Sequence, residues 1–223
     1  MVLGVVLLAG QANAEEKKAF QTPKEKQSYS MGADLGKKIQ SLSIEVDLNA
    51  FAQGMKDAVS GNKMLLTEQE IKETLTALQK ELMEKQAENA KQLGEKNMKA
   101  GEAFLAENKK KEGVITLPSG LQYKVIKEGA GKTPKADDTV VTNYRGTLID
   151  GTEFDSSYKR GEPATFPVKG VIPGWTEALQ LMKEGSKWEL FIPSSLAYGE
   201  RGAGNAIGPN ATLIFEIELI SVK

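Results

Sequence analysis

The 223-residue sequence contains no histidine and no cysteine. Without them there is no Ser-His-Asp or Cys-His nucleophile pair, and no zinc site built on imidazole or thiolate. Disulfides and thiol redox chemistry are excluded as well. An excess of either charge is also lacking, since 29 basic residues face 30 acidic ones. Nucleic-acid binders carry a basic excess, so nucleic acid is not an expected partner. Any catalysis must rest on carboxylates, Lys, Tyr, backbone dipoles or the shape of a pocket. Neither a metal nor a cofactor is expected.

Proline is almost missing from the first half. Seven of the eight prolines lie at or after Pro118, and none occurs between Lys24 and Leu117. Fourteen of the 22 glycines and both tryptophans follow Glu112. This asymmetry predicts helices first, then strands and turns, in an α+β chain. The boundary falls at Lys109-Lys110-Lys111-Glu112-Gly113, a basic last turn followed by a Gly placed as a helix cap.

The chain opens with a short apolar run that ends in Gln11-Ala12-Asn13-Ala14 before Glu15-Glu16. Ala12-x-Ala14 has the small-residue spacing of a signal-peptidase site, although no basic residue precedes the apolar run. About ten apolar residues are too few to span a bilayer of ~30 Å. The expectation is export with cleavage after Ala14, residues 1–14 being a signal peptide. A buried N-terminal strand is the alternative.

Residues 15–66 read as a helical segment. Tyr29, Met31, Leu35, Ile39 and Leu42 mark one helix face, and Leu48, Phe51, Met55 and Val59 mark another. Asp47 is placed as an N-cap, and Gly61 lies near the end of the second helix. Gly32, Ala33, Gly36 and Gly54 suit close helix contact. Some forty residues seldom bury enough apolar surface to fold alone. Either the segment pairs with a second copy of itself, or it folds back on the C-terminal half.

Thr67-Glu68-Gln69-Glu70 is a capping box that starts a helix running to Glu112. Its 45 residues would extend ~68 Å at ~1.5 Å each. Ile71, Leu75, Leu78 and Leu82 form a narrow stripe that thins to Ala90, Leu93, Ala100 and Phe104. Glu68–Lys72, Glu81–Lys85, Glu95–Lys99 and Glu107–Lys111 have the spacing of intrahelical ion pairs. Residues 67–112 therefore read as a solvent-exposed connecting helix, with Gly94 and Gly101 as its only breakers.

From Leu117 the period changes to two. Residues 121–125, 140–148, 152–154, 187–192 and 213–220 read as strands, with Asp150-Gly151 as a hairpin turn and 174–182 as one short helix. Gly131-Lys132-Thr133 is no phosphate loop, because the motif's first glycine would fall at Ile126. Gly199, Gly202, Gly204 and Gly208 lie between strand-like runs, not at a strand-to-helix turn. Tyr144, Phe154, Phe166, Trp175, Tyr198 and Phe215 lie beside turns. Two readings fit these aromatics: plain core packing, or the walls of a concave apolar pocket.

Four motifs decide the family. Gly151-Thr152-Glu153-Phe154-Asp155-Ser156-Ser157, Val171-Ile172-Pro173-Gly174-Trp175, Ile192-Pro193-Ser194-Ser195-Leu196-Ala197-Tyr198-Gly199 and Ala211-Thr212-Leu213-Ile214-Phe215 resemble the signatures of FKBP-type peptidyl-prolyl cis-trans isomerases. They occur in that family's order across residues 113–223. Upstream, Tyr29-Ser30-Met31-Gly32-Ala33-Asp34-Leu35-Gly36 and the long helix resemble the dimerising arm of the macrophage infectivity potentiator (Mip) branch.

The resemblance implies a curved antiparallel sheet wrapped on a short helix, and an exported enzyme that accelerates X-Pro rotation. It implies Trp175 as a pocket floor, with Tyr144, Phe154, Phe215, Val171 and Ile172 as walls. The Tyr198 hydroxyl and the Ile172 backbone N–H would donate to substrate carbonyls. Asp155 would face the carbonyl carbon, held by Tyr144 and Arg160, and Phe166 and Ile207 complete the substrate-binding set. Ala164 stands where the family's archetype has an aromatic, and Ala203 where some members carry His. Implied partners are proline-containing unfolded polypeptides, a second copy of the chain, and macrolide inhibitors. The implied location is periplasmic or outer-membrane-associated, and chaperone activity accompanies the dimer. A catalytically idle chaperone or surface-binding module is the rival reading. A hydrolase built on paired carboxylates is more distant, since no two facing acids stand out.

Overall fold

Residues 20–223 are described by a computed structural model, and the expected signal segment 1–14, like its alternative, lies outside them. The chain divides into two units, one ending at Leu78 and the other running from Gln79 to Lys223. Helix α1 (Pro23–Ser41), helix α2 (Leu48–Ser60) and the start of α3 (Glu68–Asn108) make the described part of the first. Caps set all three starts. The Asp47 carboxylate accepts from Asn49 and Ala50 N–H at 2.8 and 3.0 Å. Thr67 and Glu70 form the expected reciprocal pair, at 3.2 and 2.8 Å. Thr22-Pro23-Lys24-Glu25 forms an equivalent box at α1 that the sequence reading did not pick out. Helix α2 ends at Gly61, whose φ of 67° is the left-handed cap conformation. Helix α1 buries no residue, and α2 buries only Asp57, held by the Gln53 amide.

Helix α3 passes from the first unit into the second. Most of its side chains are exposed, as its charge requires, but Gly94, Gly101 and Asn108 are buried. None of the four expected Glu-to-Lys pairs closes within 4.0 Å among the described residues. Lys80–Glu84 and Lys110–Glu107 close instead, at 3.8 and 2.7 Å. Long exposed side chains gain little from any one geometry, so spacing alone does not select the pair. The helix also ends at Asn108, short of the expected Glu112. There the Asn108 amide donates to the Gln122 side-chain carbonyl at 3.0 Å, and the Gln122 amide donates to the Leu105 carbonyl at 2.9 Å. That bonding to the sheet takes up the helix's last turn, and Gly113 (φ 78°) turns the chain into the first strand.

The second unit is built on one antiparallel sheet of β1 (Val114–Thr116), β2 (Gln122–Lys127), β3 (Thr139–Leu148), β4 (Glu153–Ser156), β5 (Ala164–Pro167), β6 (Lys187–Ile192) and β7 (Leu213–Val222). The order is β1-β2-β6-β7-β3-β4, with β5 pairing β3 beside β4. Strands β1 and β5 were not expected. Each is short, and β5 follows Pro163 and ends on Pro167. Alternation on the long strands sends Val140, Thr142, Tyr144 and Gly146 of β3, and Leu213, Phe215, Ile217 and Leu219 of β7, to one buried face. Helix α5 (Pro173–Leu179) presents Trp175, Ala178 and Leu179 to the buried core, and a single turn, α4 (Ser157–Arg160), follows β4. Gly146 is required by close approach, since a Cβ there would lie 2.6 Å from the Phe154 ring and 2.7 Å from the Phe215 ring.

Candidate active site

At one end of this core the rings do not close on each other. Trp175, at the start of α5, meets Tyr144, Phe166 and Phe215 edge-to-face, at centroid distances of 5.2, 5.7 and 5.1 Å. Phe154 meets Phe215 in the same way at 5.4 Å. Edge-to-face contact is the favoured geometry for aromatic quadrupoles and leaves ring faces available. A cavity of about 630 Å³ remains between them, within the ordinary range for small-ligand sites.

Of the eleven residues named from sequence, ten line this cavity: Tyr144, Phe154, Asp155, Phe166, Val171, Ile172, Trp175, Tyr198, Ile207 and Phe215. They come from β3, β4, β5, the entry to α5, the loop after β6, and β7. Arg160 lies outside the lining and acts on it from behind. Ala203 is in the wall, whereas Ala164 pairs with Thr142 and packs on the core. Gly204 of the glycine-rich loop also lines it, and Gly170 and Ala206, which the sequence reading did not name, complete the lining. Their only sequence signal was adjacency to Val171 and Ile207, because small residues expose backbone and carry no side-chain pattern.

One polar group stands at the rim. The Tyr144 hydroxyl donates to Asp155 at 2.5 Å and accepts from Arg160 at 2.7 Å, while Arg160 also pairs with Asp155 at 2.5 Å. The Ser156 N–H donates to the same carboxylate at 2.8 Å. Burial works to raise the Asp155 carboxyl, but hydrogen bonds from Tyr144 and Arg160, the Arg160 charge and the Ser156 amide outweigh it and hold it below its usual value. Burial, then the bond to Asp155, pushes the Tyr144 hydroxyl up. The Ser157 hydroxyl accepts from the Tyr144 N–H at 2.9 Å, which ties α4 to β3. Arg160 lies 5.3 Å from the Tyr144 ring centre, a cation–π contact that keeps it over the triad. The result is an apolar cup with one ionised, firmly oriented carboxylate at its edge.

Comparison with known proteins agrees across nearly the whole chain. A model of the family described as FKBP-type peptidyl-prolyl cis-trans isomerase matches residues 130–220. Another, described as the domain amino terminal to FKBP-type peptidyl-prolyl isomerase, matches residues 24–125. The chain is 51% identical over 222 residues to "Outer membrane protein MIP" of Legionella longbeachae, covering 100% of this chain and 95% of that protein. It is 48% identical over 221 residues to "Peptidyl-prolyl cis-trans isomerase Mip" of Coxiella burnetii, covering 99% and 96%. Among solved structures, the crystal structure of FkpA from Escherichia coli is 42% identical, with a TM-score of 0.71 over 92% of this chain and 99% of that one.

Proposed function

This chain belongs to the FKBP-type peptidyl-prolyl cis-trans isomerases, in the branch of Mip and FkpA, and from that premise we propose that it acts after export, as a dimer, turning X-Pro bonds of folding polypeptides in its aromatic cavity. The observation that carries the reading is the cavity of about 630 Å³ walled by Tyr144, Phe166, Trp175 and Phe215, with Asp155 at its rim.

Rotation about X-Pro breaks amide conjugation against a barrier near ~20 kcal/mol. No covalent bond is made, so a chain without His or Cys loses nothing needed for this reaction. The twisted imide has less charge separation than the planar one, and water stabilises it less. An apolar cup therefore favours the twisted form over the flat one. Acceleration by a factor of ~10³–10⁵ corresponds to roughly 4–7 kcal/mol.

Proline enters over Trp175 and is enclosed by Tyr144, Phe154, Phe166, Val171 and Phe215, with Ile207 on the loop side. The Tyr198 hydroxyl and the Ile172 N–H hold flanking carbonyls. As N-cap of α5, Ile172 has an N–H outside the helix's own ladder. Asp155 faces the carbonyl carbon of the rotating bond, fixed by Tyr144 and Arg160. The same cup receives FKBP-type macrolide ligands.

Dimerisation is assigned to residues 15–66. Exposed Met31 (75%), Val59 (83%) and Leu65 (82%) support it. So do Gly32, Gly36 and Gly54, beside which an added Cβ would meet nothing within 4 Å. Two cavities in one assembly hold one unfolded client more firmly than either alone, which supplies the chaperone role. Removal of residues 1–14 releases the chain into the periplasm or onto the outer membrane. Among the described residues no helix is long and apolar enough to cross a membrane.

A proline-peptide isomerisation assay tests the reading. The wild type accelerates cis-to-trans conversion, and Trp175→Leu and Asp155→Ala, while remaining folded, lose most of that acceleration. No acceleration by the wild type would leave an idle chaperone or binding module. Unchanged rates in both folded variants would move catalysis elsewhere.

A further inference from the structure

The residues between β6 and β7, 193–212, form a loop with two working sides. One side carries Tyr198, Ala203 and Ile207 into the cavity. The other is the seat of α3. The Asn97 amide donates to the Pro209 carbonyl at 2.8 Å. A Cβ on Gly94 would lie 3.2 Å from Pro209 Cβ and 3.2 Å from the Asn210 amide nitrogen, and one on Gly101 would lie 2.2 Å from the Thr212 hydroxyl oxygen. From the loop side, a Cβ on Gly208 would lie 3.1 Å from the Asn97 amide nitrogen. Gly94, Asn97 and Gly101 stand at i, i+3 and i+7, on one face of the helix. Glycine is a poor helix former, and at these two positions it admits the loop to the helix backbone.

The two sides of the loop are mechanically joined. Ile207 lines the cavity, and its neighbour Gly208 touches α3. Ala203 and Ile207 exchange backbone hydrogen bonds at 2.8 and 3.1 Å, closing the tip. The Asn210 N–H donates to the Gly199 carbonyl at 2.8 Å, which ties the docked base to the residue after Tyr198. At Gly202, φ is 63° and an added Cβ would lie 2.2 Å from the Ile207 carbonyl oxygen, so the two arms of the tip pack backbone to backbone. A shift at Pro209 is therefore passed on to Ile207 and Tyr198.

We propose that Asn97, seated between Gly94 and Gly101, is a positioning residue for prolyl isomerisation: by fixing the Pro209 carbonyl it sets where Ile207 and Tyr198 meet the bound peptide. Helix α3 is thus a functional part of the site, although none of its residues lines the cavity. The inference rests on the reading of the cavity as the prolyl site.

The test uses full-length chain carrying Asn97→Ala, compared with Phe104→Leu. Phe104 packs the same helix on Phe191 of β6 (ring centres 5.9 Å apart), a strand residue outside 193–212. Steady-state kcat and KM are measured separately on short peptides that differ in the residue before proline, alongside thermal melting. Asn97→Ala raises KM about 3- to 10-fold, the scale of one lost hydrogen bond, and alters the ranking of the peptides. Phe104→Leu lowers the melting temperature and leaves both kinetic constants in place. Wild-type constants and ranking in Asn97→Ala overturn the inference, as do losses in the two variants that merely track their melting temperatures. If instead the wild type is inactive, or Trp175→Leu keeps the full rate, the cavity reading itself fails.

Discussion

Tyr144 and Asp155, on adjacent strands β3 and β4, are joined by a 2.5 Å hydrogen bond from hydroxyl to carboxylate at the rim of the cavity. Both groups line the site, and each limits where the other can stand. Tyr144 also meets Trp175 edge-to-face, so its ring is fixed by the core while its hydroxyl fixes the acid. Aromatic wall and polar rim are parts of one unit.

Tyr144→Phe separates these roles. The ring keeps its packing, while Asp155 and Arg160 each lose a partner. Isomerisation should fall about 3- to 10-fold, the range of a net hydrogen bond of ~0.5–1.5 kcal/mol, with little change in melting temperature. A loss as large as that of Asp155→Ala would show that the hydroxyl acts on substrate directly.

The rim also fixes a pH response. Asp155 titrates below the usual carboxylate value, which is about 4. Its ionised form therefore contributes to stability above that value, and the contribution is lost as pH falls through the lower native one. Activity should stay level from neutral pH to below about 4, then decline, and Asp155→Asn should lack the acid limb. A decline centred near pH 6 in the wild type would contradict the low Asp155 value, since no histidine is present to supply it.

At Gly146 an added methyl would collide with both Phe154 and Phe215. Gly146→Ala should cost about 1–3 kcal/mol, as overpacking does, and should reduce turnover because the two rings it displaces line the cavity. Chemical denaturation beside the peptide assay measures both. An unchanged midpoint with full activity would mean that the rings yield without consequence.

Sedimentation of the chain from residue 15 onward should give twice the monomer mass. Met31→Lys combined with Val59→Lys should give a monomer that retains its rate on short peptides but suppresses aggregation of an unfolded client less well. A monomeric wild type would remove the paired-cavity account of chaperoning.

What could be read from the sequence was local or carried by a motif. Asp47 and Thr67 announce helix starts because a cap closes within three residues, and Thr22 carried the same signal unused. The strands alternate visibly wherever one face is buried, as in β3 and β7. Strand β5 escaped because four residues ending on a proline show no period, and its register comes from Thr139–Thr142 far along the chain. The end of α3 was misplaced because Asn108 finds its partner in Gln122, across a turn that propensity does not see. Gly94 and Gly101 read as breakers; in the structure they are the contact points of the helix. Close approach by small residues leaves no apolar signature, so this docking face was invisible in the pattern. Of the cavity-lining residues, Phe154, Asp155, Val171, Ile172, Trp175, Tyr198 and Phe215 fall within the family motifs, whereas Tyr144, Phe166 and Ile207 lie outside them, and the aromatics alone left core and pocket undecided.

Ile192 and Leu213 are cross-strand partners on β6 and β7, so the segment 193–212 leaves the sheet and rejoins it at one rung of the ladder. Lengthening such an excursion adds closure entropy only slowly, and the ladder on either side has no reason to slip. The loop that lines the cavity can therefore drift in sequence while the sheet stays unaltered. The restraint on that drift comes from a helix much earlier in the chain, so a transplanted insert would need its matching stretch of α3 to arrive with it.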